Sequence, residues 1–319
     1  MRLSEVGERA ILDYLIPRLS FAGGHLRPGD DGVDYLPRGR VVVTGDMLVG
    51  STDVPPGAPM ESVGWKAVTA SLSDLAATGA RPVLVFVEMG LPPEMELDEL
   101  KRIWSGIEMA RDRYSVMVAG GDTNSCRDPV LAVFALGEAE RPVPRGGSRP
   151  GDLIGVTGTF GRAAAGLHSI LTRDLDQSWE PLRRSFLWPV ARIEAGAVAA
   201  RYATAMIDSS DGLARSLYDM SRNSGLGYLI ERLPVDDEVT RYALTHGLDP
   251  ERLVLGGGEE YELIITFDPS SERQLREELA SVGCELIVIG RVVEGRGVWR
   301  VQDGAVVQVP ELGWSHFGR

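Results

Sequence analysis

Lysine, histidine and cysteine are scarce in this chain. Of its 33 basic residues only Lys66 and Lys101 are lysines; the histidines are His25, His168, His246 and His316, and the cysteines are Cys126 and Cys284. Mechanisms built on a lysine nucleophile or Schiff base therefore have little to draw on. Two cysteines so far apart make no zinc cluster and imply no disulfide, so buried free thiols are expected. No Gly-x-Ser-x-Gly elbow accompanies the few histidines, and His168 and His246 fall in helical contexts that suit surface or satisfied core residues. A P-loop, a Rossmann glycine fingerprint and a kinase glycine-rich loop are likewise missing. No apolar run approaches the ~20 residues of a membrane helix. Residues 1–8 carry acids where a signal peptide would be apolar, so the expected setting is the cytoplasm, without a membrane partner. The net charge of −13 and the lack of a basic stripe exclude a general nucleic-acid surface. No repeat of 20 to 50 residues appears, which argues against a solenoid.

Aspartate set in glycine, serine or threonine turns takes the place of these groups. The series runs Gly29-Asp30-Asp31, Thr44-Gly45-Asp46, Ser73-Asp74, Gly120-Gly121-Asp122-Thr123 and Asp208-Ser209-Ser210-Asp211-Gly212, followed by Glu259-Glu260 after three glycines. Several follow apolar runs such as Val41-Val42-Val43 and Ala205-Met206-Ile207, which predicts aspartates projecting from strand ends. Two carboxylates at about 4 Å repel by about 4 kcal/mol at an effective dielectric near 20 unless protons or cations intervene. Hard divalent ions such as Mg2+, often shared with nucleotide phosphates, are the natural remedy.

The 319 residues suffice for one large or two ordinary domains. A helix is expected near residues 4 to 15. Strands are expected at Val41–Thr44, Val83–Val87, Val116–Ala119 and Val130–Leu136. Between them Trp65, Val68, Leu72, Leu75 and Ala76 recur at helical spacing, as do Leu100, Ile103, Trp104, Ile107 and Ala110. The stretch from Arg141 to Asp152, dense in proline and glycine, reads as a domain boundary. Beyond it a strand at Leu153–Val156, a helix from Arg162, strands near Met206, Leu229, Leu263 and Val288, and a β finish around Val298 to Val309 give a second α/β layer.

Each aspartate also has an ordinary structural explanation. Asp208 or Ser210 would cap the helix carrying Leu213, Leu217 and Met220, and Asp30-Asp31 would form a turn. Gly158-Thr159-Phe160-Gly161 ahead of a helix is either a plain strand-to-helix turn or an anion site. Asp74 is harder to dismiss, since an acid in an apolar helical segment needs a partner or an ion. Tandem glycines before Asp122 allow a ligand to approach the backbone closely. Taken together, the sites favour a metal-lined phosphate site over a set of unrelated turns.

In order and spacing these motifs, with Trp65-Lys66-Ala67, Leu75-Ala76-Ala77-Thr78-Gly79-Ala80 and a return at Gly313-Trp314-Ser315-His316-Phe317, resemble thiamine-monophosphate kinases from about residue 29 to 265. The resemblance implies the aminoimidazole-ribonucleotide-synthetase-like superfamily and an α/β (α+β) two-domain synthetase-like fold. Residues 1–140 would form an N-terminal ATP/Mg-binding domain that builds an intersubunit β-barrel on dimerisation. Residues 150–319 would form a C-terminal α/β domain. The implied partners are a second copy of the chain, ATP as co-substrate, several Mg2+ ions, and thiamine monophosphate, converted to thiamine diphosphate.

By position, Asp31, Thr44, Asp46, Asp74, Asp122, Asp208 and Asp211 resemble the family's magnesium ligands, with Asp46, Asp122 and Asp211 as the catalytic set. Gly121, Asp122, Arg145 and Ser210 fall where ATP is contacted; Asp53, Glu259 and Trp314 fall on the thiamine phosphate side. Phosphoryl transfer between polyanions asks for positioning and charge neutralisation, which such residues supply. Arg145 offers bidentate phosphate contacts and Trp314 a face for the cationic thiazolium. Three positions depart from the family pattern: Gly45 removes a hydroxyl, Asp53 replaces a common histidine, and Glu260 replaces aspartate. The alternatives are a superfamily synthetase or kinase with another acceptor, and a silent nucleotide-binding sensor. The hydrogenase-maturation branch needs a terminal cysteine, which the Trp314–Arg319 ending does not offer.

Overall fold

A computed structural model describes residues 1–21 and 24–315. His316 and Phe317, part of the terminal motif, lie outside the described residues. The chain divides into two compact units, the first comprising Met1–Leu75 with Arg81–Glu140, the second Ala76–Ala80 with Arg141 onward.

Unit 1 contributes α1 (Leu3–Val6), α2 (Glu8–Leu15), β1 (Arg40–Val49), α3 (Gly50–Asp53), α4 (Met60–Ala77, all but its last two residues), β2 (Arg81–Leu91), α5 (Leu97–Tyr114), β3 (Met117–Gly120), β4 (Thr123–Ser125) and β5 (Val130–Ala139). The single helix expected at residues 4 to 15 is two, broken at Gly7, whose φ of 80° does not fit a right-handed helix. The sheet runs β1-β5-β2-β3, with β4 also on β2. Val68, Leu72 and Leu75 of α4 and Ile103, Trp104 and Ile107 of α5 are buried, as their helical spacing predicts.

β1 extends five residues past the expected end at Thr44, because β5 pairs with all of it from Arg40↔Ala139 to Val49↔Val130. Asp46 therefore sits within a strand rather than at its end. Burial alternates along β1: Thr44 and Asp46 are half-buried on the inner face, while Val43, Gly45 and Met47 are exposed on the other.

Unit 2 carries β6 (Leu153–Val156), α6 (Arg162–Leu171), α7 (Glu180–Leu187), α8 (Ile193–Ala199), β7 (Ala203–Asp208), α9 (Leu213–Ser224), β8 (Gly227–Ile230), α10 (Asp237–Thr245), α11 (Pro250–Gly256), β9 (Leu263–Phe267), α12 (Glu272–Ser281), β10 (Ile287–Val293), β11 (Gly297–Gln302) and β12 (Ala305–Gln308). Its sheet order is β12-β11-β8-β10-β6-β9-β7. Leu213, Leu217 and Met220 of α9 pack with Ile154, Ile207, Tyr228 and Ile264 in its core. β7 is the edge strand, and its last residue, Asp208, pairs with Leu263.

Candidate active site

In unit 1, β1 and α4 bring Thr44, Asp46 and Asp74 together. The Thr44 hydroxyl donates to Asp74 Oδ2 at 2.5 Å, giving the helical acid the partner its apolar segment demands. One turn earlier on α4, Ser71 Oγ accepts the Asp46 N–H at 3.2 Å and donates to the Val133 carbonyl at 2.7 Å. Position 45 faces the opposite side of the sheet, against the Phe134 ring; a Cβ there would stand 2.8 Å from Phe134 Cδ1. The hydroxyl that Gly45 removes would thus point away from the side chains of Thr44 and Asp46.

Asp122 follows β3 on an exposed turn, where its Oδ1 accepts the Thr123 N–H at 2.8 Å and its carbonyl accepts the Met89 N–H at 2.9 Å. Gly121 explains the tandem glycine: its φ is +154° and a Cβ would lie 1.9 Å from the Val87 carbonyl oxygen. Sheet register sets Asp46 opposite Val133 and Val133 opposite Val87, so Gly121 lies on the same rung as Asp46, three strands along. That separation is roughly 14 Å at the usual inter-strand spacing. Asp122 and Thr123 also line an open cleft of about 480 Å³ with Ser4, Glu8 and Ile11.

Asp31 is exposed on the loop before β1, and its neighbour Asp30 is a true turn residue, its Oδ2 accepting the Arg27 N–H at 2.6 Å. Asp34, which the motifs did not single out, organises this loop. Its Oδ1 accepts the N–H groups of Leu26 and His25, each at 2.8 Å, and these bonds pull its carboxyl down to about 2. Asp53 accepts the Val49 N–H at 2.7 Å and so closes the turn after β1.

In unit 2 the predicted residues gather at the end of β7. Asp208 is buried, Ser210 exposed and Asp211 half-buried. The N-cap of α9 is Gly212, at φ 110°, so neither Asp208 nor Ser210 occupies the cap position expected of it. The Ser210 carbonyl accepts the Glu259 N–H at 2.6 Å and the Asp211 carbonyl accepts the Trp314 N–H at 3.0 Å, which ties both residues expected on the thiamine phosphate side to one turn. Trp314 is 50% exposed. Arg145 is exposed beside the same edge strand; the carbonyl of its neighbour Pro144 accepts the Met206 N–H at 3.2 Å, two residues before Asp208.

The turn at Gly158–Gly161 is filled by the chain itself. Glu260 Oε1 accepts N–H groups from Gly161 at 2.7 Å and Ala163 at 3.0 Å, occupying the start of α6 where an anion was considered. Burial pushes the Glu260 carboxyl up to about 8, with the nearby Glu262 adding to the rise against the two N–H donors. Behind it, buried Glu262 pairs through both oxygens with Arg192 and accepts the Thr157 hydroxyl at 2.6 Å.

Among the described residues no three His, Cys, Asp or Glu side chains stand together as a ready metal cage. Thr44, Asp46, Asp74 and Asp122 in one unit and Asp208 and Asp211 in the other are all oxygen donors, the chemistry Mg2+ requires. Mg2+ commonly takes one or two carboxylates and completes its shell with water and substrate phosphates, so a partial protein shell fits it.

Two consecutive families match the chain: AIR synthase related protein, N-terminal domain, over residues 29–139, and AIR synthase related protein, C-terminal domain, over residues 149–301. The chain belongs to the AIR synthase related proteins, with their two-domain α/β fold. Hydrogenase maturation protein HypE of E. coli, at a TM-score of 0.80 but 20% identity, over 98% of this chain and 99% of its own, shares that fold alone.

Finer likeness separates the branches. Thiamine-monophosphate kinase of Pyrococcus horikoshii is 34% identical over 319 residues, 99% of this chain and 96% of that protein. The Aquifex aeolicus protein of that name is 33% identical over 325 residues, 99% of this chain and 100% of its own. A solved structure, AaThiL complexed with AMPPCP and TMP, superposes with a TM-score of 0.81 at 31% identity over 99% of both chains. Within its class the chain belongs to the thiamine-monophosphate kinase family.

Proposed function

We propose that this protein transfers the γ-phosphoryl group of ATP directly to thiamine monophosphate, giving thiamine diphosphate and ADP. The observation that carries this reading is the 34% identity to a thiamine-monophosphate kinase across 99% of the chain. In unit 1, Thr44, Asp46, Asp74 and Asp122, with Asp31 on its loop, serve as Mg2+ donors, and Gly121 and Asp122 meet the nucleotide. In unit 2, Asp208 and Asp211 supply further donors, Ser210 and Arg145 contact ATP phosphates, and Glu259 and Trp314 hold thiamine monophosphate. Bound Mg2+ would neutralise charge shared between phosphates. The chain's own residues position the anions: the exposed Arg145 guanidinium presents paired donors, and the open backbone at Gly121 lets phosphate approach. Asp53 is assigned a supporting place on the acceptor side, since its Oδ2 is engaged by Val49 N–H.

A cytoplasmic homodimer is part of the proposal. No helix among the described residues is long and apolar enough to cross a membrane. The outer face of β1 and β5 exposes Val43 (65%), Met47 (63%) and Phe134 (50%), a patch suited to a second copy of the sheet. Sedimentation of the purified protein at micromolar concentration tests this: a dimer that Met47→Glu turns into a monomer supports it, and a wild-type monomer contradicts it. For the activity, ADP release is followed with ATP and Mg2+ in the presence and absence of thiamine monophosphate. Release that depends on the acceptor supports the kinase; binding of both ligands without ADP release identifies a sensor instead.

A further inference from the structure

We infer that Glu260 is a positioning residue for the acceptor side, its carboxyl oxygen on the start of α6 holding the 257–262 loop in the course that sets Glu259. The inference rests on the proposed kinase activity for its functional consequence, and on backbone geometry for the rest.

β7 and β9 pair antiparallel up to Asp208↔Leu263. Beyond that rung the two segments stay laced: Ser209 N–H donates to the Glu262 carbonyl at 2.9 Å, Tyr261 N–H to the Ser209 carbonyl at 3.0 Å, and Glu259 N–H to the Ser210 carbonyl at 2.6 Å. The loop is not an ordinary strand extension, because Glu259 and Tyr261 have φ values of 62° and 53°. Residues other than glycine hold the left-handed region only where their surroundings over-determine it. Glu260 lies between these two residues, and its side chain reaches another element altogether.

That element is the first turn of α6, whose N–H groups have no acceptor within the helix. Glu260 takes two of them, from Gly161 and Ala163, on the single oxygen Oε1. Because both bonds converge on one oxygen, the carbonyl oxygen of a neutral acid or a carboxamide can accept both of them, more weakly than a carboxylate does. Loss of that oxygen frees the loop to relax at Glu259 and Tyr261. Relaxation moves the N–H groups now donated to Ser210 and Ser209, and with them the Glu259 side chain. Asp208 stays paired in β7, Arg145 stays beside the Pro144 carbonyl that accepts the Met206 N–H, and Ser210 keeps its place through Ser209, whose N–H remains on the Glu262 carbonyl.

The test compares full-length wild type, Glu260→Ala and Glu260→Gln by steady-state kinetics and by amide hydrogen exchange without ligands. Glu260→Ala is expected to raise KM for thiamine monophosphate about tenfold, leave KM for ATP within about twofold, and speed exchange at the Glu259 and Tyr261 amides about tenfold or more. Glu260→Gln restores all three. Unchanged exchange and KM in Glu260→Ala, a parallel rise in both KM values, or a glutamine variant as impaired as the alanine one would overturn the inference. If wild type makes no thiamine diphosphate, the kinase reading fails, and exchange alone decides whether Glu260 sets the loop.

Discussion

Thr44 of β1 donates its hydroxyl to the Asp74 carboxylate of α4, and this bond ties the strand to the helix that carry three of the four proposed unit 1 donors outside the 24–34 loop. Replacing the hydroxyl by a methyl of the same shape leaves a half-buried carboxylate without its donor. Thr44→Val should therefore lose about 1–3 kcal/mol of stability, while Thr44→Ser loses little. Urea unfolding measures both; a valine variant as stable as wild type would show that the bond contributes nothing.

Gly121 has no room for a side chain beside the Val87 carbonyl. Gly121→Ala should cost about 1–3 kcal/mol through the forced shift. It should also raise KM for ATP, because the displaced backbone carries Asp122. Thermal unfolding and ATP saturation curves check the two effects separately.

Asp122 is exposed, and an asparagine keeps the oxygen that accepts the Thr123 N–H. Asp122→Asn should leave the melting temperature near wild type and lower kcat by about a hundredfold or more, as loss of a metal-holding charge requires. Unimpaired turnover would remove Asp122 from the metal set.

Much of the α/β pattern was legible because core positions recur at helical spacing along α4 and α5 and because β-branched runs mark the strands. The ordered aspartate motifs likewise pointed to the residues that gather at the end of β7. Other features depend on long-range pairing that local pattern does not carry. Asp46 falls within β1 because β5 pairs on through Val130, and position 45 turns outward as a result. Glu260 satisfies a helix start 97 residues away in sequence, a pairing that no local motif announces, so the α6 start was open between a plain turn and an anion site. Asp34 escaped notice because its loop partners, His25 and Leu26, have no periodic signature.

Burial raises the Glu260 carboxyl from its ordinary 4.5 to about 8. The folded state then keeps a proton that the unfolded chain releases above its own pKa, so the associated stability is full in acid and is lost as pH rises from about 4.5 through 8. Glu260→Gln cannot titrate. Melting temperatures measured from pH 5 to 9 should fall less steeply for this variant than for wild type across that window, and parallel curves would contradict the assignment.

Direct phosphoryl transfer is the central claim, and phosphorus NMR of the products tests it most directly. Purified protein is incubated with thiamine monophosphate, Mg2+ and ATP isotopically labelled in its γ-phosphoryl group. The account predicts thiamine diphosphate with the label in its terminal phosphate, matched by an equal amount of ADP and dependent on Mg2+. Label appearing only in inorganic phosphate, or no thiamine diphosphate at all, would contradict it.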